Sequence, residues 1–327
     1  MADILVSDTT FARYRDLIGA ACGEHRLLAF DPAAPGDLSH VEAAFVSVDY
    51  LVPDHNPATN PKLGALFKAL PELPRLRWLH LCSAGADRPV YKDMMRRGIT
   101  VTTSSGANAK AVAHTAIAGA LALARGVPQW IDTQARKVWE RAAETPRDID
   151  GARATVIGLG PIGLEIASIC RALGMHVTGV RRSQGAKPDE LDAMVTPSAL
   201  PELLPETDWL FIACPLTEET RGLFDRAMLA RMKPGSHLIN VGRGRIVDEQ
   251  ALADALASGA LAGAYSDVFA TEPLQADSPL WTAPRFLMSP HCGGLAQGFE
   301  RRTVEMFAEN LRRWNSGLAM LNVARPE

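Results

Sequence analysis

Short apolar runs alternate with amphipathic stretches over the first hundred residues. The runs predict strands, and the stretches between them carry apolar residues at helical spacing and predict helices. The predicted strands are 4–7, 26–30, 43–48, 76–82 and 99–102, and the predicted helices lie near 11–21, 63–70 and 91–97. This alternation predicts a parallel sheet with helices on both faces. By composition, segments 31–40 and 53–61 are predicted surface loops.

A second alternation follows a long predicted helix that runs from Asn108 to about Ala124, and another helical stretch is predicted at 130–139. The second set of predicted strands is 154–157, 176–180, 209–213, 237–240, 264–268 and 286–289, with a last helix near 299–314. At 327 residues the chain exceeds the size of one ordinary core, so we expect two domains. We expect the last helix to pack against the first of them.

Composition and charge exclude several classes of partner. Hydrophobic residues make up 47% and charged residues 22%, which is typical of a globular protein, and the net charge of -3 provides no field for nucleic acid. No signal peptide is visible, and the most apolar helical stretch, 111–124, is shorter than the ~20 residues of a membrane span. We therefore expect a cytoplasmic protein without a membrane partner. Five widely spaced cysteines without a C-x-x-C pair predict neither disulfides nor a metal site.

The most specific local motif is a glycine-rich turn, Gly158-Leu159-Gly160-Pro161-Ile162-Gly163. It follows an apolar strand and opens a helical run, the context in which G-x-G-x-x-G binds a dinucleotide. Gly158 permits the tight turn, Gly160 lets the backbone approach a diphosphate, and Gly163 lets helix and strand pack closely. The diphosphate would bind at the amide end of the helix.

The next strand ends in Arg181-Arg182-Ser183, where the residue that meets the adenosine ribose is expected. An acidic residue there would repel a 2′-phosphate, whereas an arginine beside a serine can bind one. We therefore expect NADP(H) to be favoured over NAD(H). If these arginines face solvent instead, the cofactor is NAD.

Three later strand ends carry the residues that reduction of a carbonyl needs. Arg243 is a cation to hold a carboxylate and polarise the carbonyl, His291 is an acid to protonate the oxygen, and Glu272 is a further candidate at the third strand end. Taken singly, they could be a salt-bridge partner, a cap and a turn residue. Together and beside the dinucleotide motif, they predict one catalytic site.

With these motifs in order, the sequence resembles the D-isomer-specific 2-hydroxyacid dehydrogenases, which include glyoxylate and hydroxypyruvate reductases. The resemblance runs from 81–87 (LCSAGAD) through the glycine motif to 238–249, 267–274 and 289–294. It implies that Arg243 binds substrate, that His291 is the acid/base and also contacts substrate, and that Glu272 orients and charges His291. It also implies that the backbone around Ser83, Ala84 and Gly85 holds the substrate carboxylate.

The resemblance extends to the cofactor and the architecture. It implies that Asp267 meets the nicotinamide amide and that Cys214-Pro215 lines the cofactor, and the remaining expected cofactor contacts are Thr220, Val241, Gly242 and Gly293. It implies a flavodoxin-like substrate domain of 1–103 plus 293–327, a Rossmann cofactor domain of 104–292, both doubly wound, and a homodimer.

One departure from the family pattern is visible in the helix after Asn108. The family usually carries Val-Ala-Glu-His there, and this chain has Val112-Ala113-His114-Thr115. The role of that Glu therefore has no counterpart here. We expect His114 to be a packed or hydrogen-bonded helix residue rather than a catalytic one.

We expect hydride transfer between NADP(H) and a small 2-keto or 2-hydroxy acid. The alternative is a catalytically silent scaffold of the same fold that senses the dinucleotide, and the intact Arg243, Glu272 and His291 disfavour it. Glu272 also disfavours a formate dehydrogenase, which has Gln there, and the chain end soon after the last helix disfavours a phosphoglycerate dehydrogenase with a regulatory tail. Segments near 48–53, 83–88 and Leu295 are expected to line the pocket, but they do not identify the substrate side chain.

Overall fold

Residues 2–31, 36–51, 57–141, 148–183 and 185–325 are described by the computed structural model, and they form two α/β units. One unit comprises Met1–Asn108 with Ala296–Glu327, and the other comprises Ala109–Leu295. The strands are β1 Asp3–Ser7, β2 Arg26–Phe30, β3 Val41–Val46, β4 Trp78–Leu81, β5 Thr100–Thr103, β6 Arg153–Ile157, β7 His176–Val180, β8 Ala193–Val195, β9 Trp209–Ile212, β10 Ser236–Asn240, β11 Leu261–Ser266 and β12 Phe286–Met288. The helices are α1 Asp8–Cys22, α2 Pro61–Ala69, α3 Pro89–Arg96, α4 Ala109–Arg125, α5 Val127–Ala135, α6 Pro161–Ala172, α7 Leu200–Leu203, α8 Arg226–Leu229, α9 Glu249–Ala257 and α10 Phe299–Asn315.

The first unit is a five-stranded parallel sheet in the order β2-β1-β3-β4-β5. This is the flavodoxin-like order, in which the chain reverses direction across the sheet between β1 and β3. The C-terminal helix α10 packs on this sheet through Val304, Phe307 and Leu311, all fully buried. The expectation that the last helix returns to the first domain is therefore confirmed.

The second unit is a seven-stranded parallel sheet in the order β12-β11-β10-β9-β6-β7-β8. Read from β8, this is the Rossmann order with one added strand, and its switch point lies between β6 and β9. Its inner strands β6, β9, β10 and β11 are largely buried, as parallel strands between two helical layers must be. The predicted α/β fold with two doubly wound parallel sheets is confirmed.

The structure differs from the predicted elements in a few places. The predicted helix at 130–139 ends at Ala135 in α5, and Trp139 beyond it is almost fully exposed. The edge strand β8 and the helix α9 were not predicted. β8 has only three residues, too few for a periodicity, whereas α9 has a readable start signal, because the Asp248 side chain accepts a hydrogen bond from the Ala251 amide.

Of the predicted loops, residues 32–35 and 53–56 lie outside the described residues. Residues 31, 36–40 and 57–60 contain no helix or strand, and Pro61 is the first residue of α2. Within the described chain, no helix on its own has the length and hydropathy of a membrane span. The pair α4 and α5 meets that test only jointly, and the two helices are bent by 67°.

Candidate functional site

The glycine-rich turn lies at the carboxyl end of β6, beside the switch point of the second sheet. Gly158 has φ +93°, and a Cβ at this position would lie 2.6 Å from Cα and 2.7 Å from N of Cys214. Its amide donates to the carbonyl of Val180 at the end of β7, at 2.9 Å. Glycine is therefore required at 158 for both conformation and space.

The start of α6 has the features of a diphosphate site. No atom lies within 4 Å of an ideal Cβ on Gly160, so the turn is open on that side. The helix begins at Pro161 without a side-chain cap, which leaves its first amides and its positive dipole end facing this opening. A Cβ on Gly163 would collide with the carbonyl oxygen of Gly158. These residues fit a dinucleotide diphosphate.

The end of β7 carries the predicted ribose-side cluster. Arg181 follows Val180 directly, and its guanidinium donates from Nη2 to the hydroxyl of Ser183 at 3.0 Å. Arg182 and Ser183 are exposed, and Arg181 is half-buried. The cluster stands one residue beyond the carbonyl that receives the Gly158 amide, so it lies at the same edge of the sheet as the glycine turn.

The loops after β9 and β10 complete this edge. Cys214 is buried under Gly158, and the Thr220 hydroxyl donates to the Pro215 carbonyl at 2.8 Å. Val241 is buried and donates its amide to the Ile212 carbonyl at 3.0 Å. A Cβ on Gly242 would lie 2.8 Å from the Cys214 carbonyl oxygen, so the two loops are in close contact.

His291 and Glu272 form a hydrogen-bonded pair in the second unit. His291 Nδ1 lies 2.7 Å from Glu272 Oε2, and the side chains are 37% and 35% exposed. The other carboxylate oxygen accepts the Phe269 amide at 2.9 Å. Burial opposes ionisation of Glu272, but His291, that amide and the Arg243 charge outweigh it, so the pKa of Glu272 lies below its ordinary value. Glu272 therefore holds the Nδ1 side of the imidazole.

Arg243 follows β10, beside the strand that precedes Glu272. Its Nη1 donates to its neighbour's carbonyl, that of Gly242, at 2.8 Å, and its own carbonyl accepts from the Asn240 side chain at 3.2 Å. The charge of Arg243 reaches Glu272, because it contributes to lowering the pKa of that carboxyl. The structure thus brings Arg243, Glu272 and His291 into one electrostatic neighbourhood.

Asp267 is 3% exposed and its carboxylate binds the chain around His291. Oδ1 accepts the Ser289 hydroxyl at 2.5 Å and the amides of Cys292 and Gly293 at 3.0 Å each. Burial raises the pKa of Asp267 above its ordinary value despite these donors. The expected contact of Asp267 with a nicotinamide amide stays a prediction, and the structure adds a second use for this carboxylate.

Sequence reasoning missed several residues that hold this loop. Ser289 and Tyr265 belong to the hydrogen-bond chain that ends on Asp267, and the Thr115 hydroxyl on α4 lies 3.2 Å from the Gly293 carbonyl. Thr115 occupies the position of the family's helix His, so the departure noted above was the available signal. His114 is exposed on α4, which is not the packed position expected for it.

The remaining predicted substrate contacts lie in the first unit. After β4 the Ser83 hydroxyl donates to the Gly85 carbonyl at 2.8 Å, and the Ser83 carbonyl accepts the Ser104 amide at 3.0 Å. Ala84, between Ser83 and Gly85, is half-buried. This is a tight, internally bonded turn at the carboxyl end of the sheet. Among the described residues, no cluster of three or more His, Cys, Asp or Glu side chains could hold a metal ion.

Residues 117–293, more than half of the chain, match the family described as D-isomer specific 2-hydroxyacid dehydrogenase, NAD binding domain. The chain belongs to that family. A glyoxylate reductase of Korarchaeum cryptofilum is 32% identical over 82% of this chain and 81% of its own length. The predicted family and the enzyme class of dehydrogenases and reductases are therefore confirmed.

Solved structures agree with this assignment. A family protein from Aeromonas salmonicida is 28% identical with a TM-score of 0.80, covering 100% of this chain and 99% of that one. One from Xanthobacter autotrophicus, in complex with NADPH and MES, is 29% identical with a TM-score of 0.78, covering 99% of this chain and 98% of that one.

A longer sequence relative also matches. A D-3-phosphoglycerate dehydrogenase of Mycobacterium bovis is 31% identical over 75% of this chain, and the match spans only 46% of that relative's length.

Proposed function

We propose that the protein reduces a small 2-keto acid, of the size of glyoxylate or hydroxypyruvate, to the D-2-hydroxy acid with NADPH. The observation that carries this is the His291–Glu272 pair within reach of the Arg243 charge, at the same sheet edge as an open dinucleotide turn. The Korarchaeum relative is named a glyoxylate reductase, which supports the substrate class. In this proposal the second unit binds the cofactor and the first unit supplies substrate contacts.

The proposed acid is His291, acting through Nε2. Its Nδ1 is bonded to Glu272, which fixes the plane of the ring. Protonated Nε2 then donates to the substrate oxygen as the carbonyl is reduced, and the reverse reaction requires the neutral ring. The bound nicotinamide supplies the hydride.

The proposed role of Arg243 is to hold the substrate carboxylate and polarise its keto oxygen. A guanidinium suits both tasks, because its planar set of donors matches a carboxylate and its charge is permanent. The turn of Ser83, Ala84 and Gly85 is proposed to present backbone donors to the same carboxylate. The cofactor contacts proposed in the second unit are those at the glycine turn and at the ends of β7, β9, β10, β11 and β12.

The proposed preference for NADPH rests on Arg181 and Ser183. A guanidinium and a hydroxyl 3.0 Å apart after β7 offer two donors to a 2′-phosphate, and the position carries no carboxylate that would repel one. The NADPH complex of the Xanthobacter relative, 29% identical, supports this preference. We further propose that the protein is a homodimer, as the family resemblance implies, and that it is located in the cytoplasm.

The decisive experiment is a panel of NADPH and NADH oxidation rates with glyoxylate, hydroxypyruvate, pyruvate and bulky 2-keto acids. We expect glyoxylate and hydroxypyruvate to be reduced faster than the other acids, and NADPH to give a higher kcat/KM than NADH. Arg181→Asp should narrow or reverse the cofactor preference, and Arg15→Asp, on the exposed face of α1 in the first unit, serves as the charge-matched control. Absence of turnover with every acid would favour the silent scaffold, and equal kcat/KM for both cofactors would refute the NADPH preference.

A further inference from the structure

A chain of hydrogen bonds runs from a buried tyrosine to the carboxylate beneath His291. The Tyr265 hydroxyl lies 2.5 Å from Ser289 Oγ, and Ser289 Oγ lies 2.5 Å from Asp267 Oδ1. An ionised carboxylate only accepts, and serine has one hydroxyl proton, so Ser289 donates to Asp267 and Tyr265 donates to Ser289. The chain therefore has one direction, from Tyr265 to Asp267.

The tyrosine ring is held in place by a gap in the adjoining helix. Tyr265 on β11 is 5% exposed, and a Cβ on Gly119 of α4 would lie 2.6 Å from its Cγ. Glycine in a helix interior costs about 0.5–1 kcal/mol relative to alanine. At Gly119 the missing side chain leaves room for the Tyr265 ring against the helix backbone. In this position the Tyr265 hydroxyl reaches Ser289.

Asp267, at the end of the hydrogen-bond chain, holds His291 in a strained backbone conformation. His291 has φ +51°, a region that residues with a side chain rarely adopt. Its amide lies 2.9 Å from the carbonyl oxygen of Asp267, and the next two amides, Cys292 and Gly293, bind the Asp267 carboxylate. A Cβ on Gly293 would lie 2.7 Å from Asp267 Oδ2, so the carboxylate fits closely into the turn.

The groups around Asp267 define its charge state. The titratable ones are His291 and Cys292, from the loop after β12, and Tyr265 from its own strand. The helix α4 presents Gly119 and Thr115 to this cluster, and β10 presents a backbone carbonyl; none of these titrates. The interaction with His291 lowers the pKa of Asp267, and Ser289 is the only side-chain hydroxyl that donates to the carboxylate among the described residues.

We propose that Tyr265 and Ser289 are positioning residues for His291: they keep Asp267 ionised and bonded to the His291 turn, and so set the pH range of reduction. This inference rests on the proposed function of His291 as the acid. Neither residue touches the reacting atoms. They act through Asp267, which holds the backbone of the turn and places a second negative charge near the imidazole.

The direction of the effect follows from the buried carboxylate. Burial already raises the pKa of Asp267, and the Ser289 hydroxyl is the largest of the contributions that lower it again. Without that hydroxyl, Asp267 takes up a proton at higher pH, its bonds to the two amides weaken, and the turn at His291 loosens. Activity is then lost on the acid side of the profile at a pH where the native enzyme is still active.

The test compares Ser289→Ala, Ser289→Thr, Tyr265→Phe and the Ser289→Ala/Tyr265→Phe double variant by their pH profiles of 2-keto acid reduction. We expect Ser289→Ala to move the acid limb upward by about one pH unit, because a hydrogen bond to a charged group is worth that much. We expect Tyr265→Phe to move it less, in the same direction. Ser289→Thr keeps the hydroxyl and should restore the native limb.

The double variant decides whether the chain acts as one path. If Tyr265 acts only through Ser289, the double variant has the profile of Ser289→Ala, whereas independent effects would add. Ser258→Ala on the exposed end of α9 and Tyr14→Phe on α1 are matched controls and should leave the profile unchanged. NADPH affinity, measured by fluorescence titration, should be unaltered in all of them.

An acid limb that stays in place in Ser289→Ala, or shifts that add in the double variant, would overturn the proposal. So would a Ser289→Thr profile that matches Ser289→Ala. Failure of the proposed function looks different, because the native protein would then reduce none of the 2-keto acids and there would be no profile to shift.

Discussion

Replacement of Glu272 by Gln removes one charge from the catalytic pair and keeps its shape. The pair is joined at 2.7 Å, and the other carboxylate oxygen accepts the Phe269 amide; Gln has one acceptor oxygen and can keep only one of these two bonds. What is also lost is the negative charge beside the ring. In the reverse reaction, oxidation of the hydroxy acid, the ring accepts a proton and gains positive charge in the transition state, so the variant should be slower in that direction.

The size of this loss follows from the exposure of the pair. Two unit charges about 4 Å apart interact by about 4 kcal/mol at an effective dielectric constant of about 20 and by about 1 kcal/mol in bulk water. The side chains are 37% and 35% exposed, so solvent screens the pair toward the lower figure. A net interaction of about 1.4 kcal/mol corresponds to a factor of about ten in rate. The kcat of hydroxy acid oxidation should therefore fall by about tenfold or more.

The assay is NADP⁺ reduction at saturating D-2-hydroxy acid, with KM measured in parallel. Glu249→Gln is the matched control, because Glu249 also accepts a backbone amide, that of Ala270, in the same unit but has no bond to His291. We expect its kcat to equal the native one. If Glu272→Gln also keeps the native kcat, the carboxylate charge does not act on His291 and Glu272 is only a structural neighbour.

Two further predictions concern binding and stability. Gly158→Ala should weaken NADPH binding by at least tenfold in a fluorescence titration. The reason is that residue 158 has φ +93° and that a Cβ there would lie 2.6 Å from the Cys214 backbone. Native NADPH affinity in this variant would show that the turn does not touch the cofactor. His80 is fully buried, and burial lowers its pKa to about 3 from the ordinary 6.5, so it stays neutral in the folded protein while the unfolded chain gains a proton below about pH 6.5. The stability that this buried neutral imidazole contributes is thus present above pH 6.5 and is lost as pH falls toward 3. His80→Gln should therefore make the decline of Tm between pH 6.5 and pH 3 less steep than in the native protein. Parallel Tm curves for the two proteins would contradict this.

The sequence predicted the two sheets well because strongly apolar strands separated by helical stretches leave few alternatives. Their order in space came from resemblance to a family rather than from periodicity, since strand pairing is a long-range property. Two short stretches were not predicted correctly. β8 has only three residues at a sheet edge and was missed, and the stretch after Ala135 is not helical although its pattern continues to Trp139.

The candidate site divides in the same way. Arg243, Glu272 and His291 could be predicted because their chemistry is specific and each follows a strand. The support beneath them could not, because Tyr265 and Ser289 are 24 positions apart and neither residue type indicates a role alone. Gly119 looks like a small residue of an apolar helix until the Tyr265 ring is seen against it.

The most direct test of the account is the turnover of His291→Ala with NADPH and the best small 2-keto acid of the panel. The account predicts that kcat falls by about 10²- to 10⁴-fold, the usual contribution of a general acid, while the NADPH dissociation constant stays at its native value. Native turnover in His291→Ala would contradict the assignment of His291 as the acid and with it the proposed mechanism.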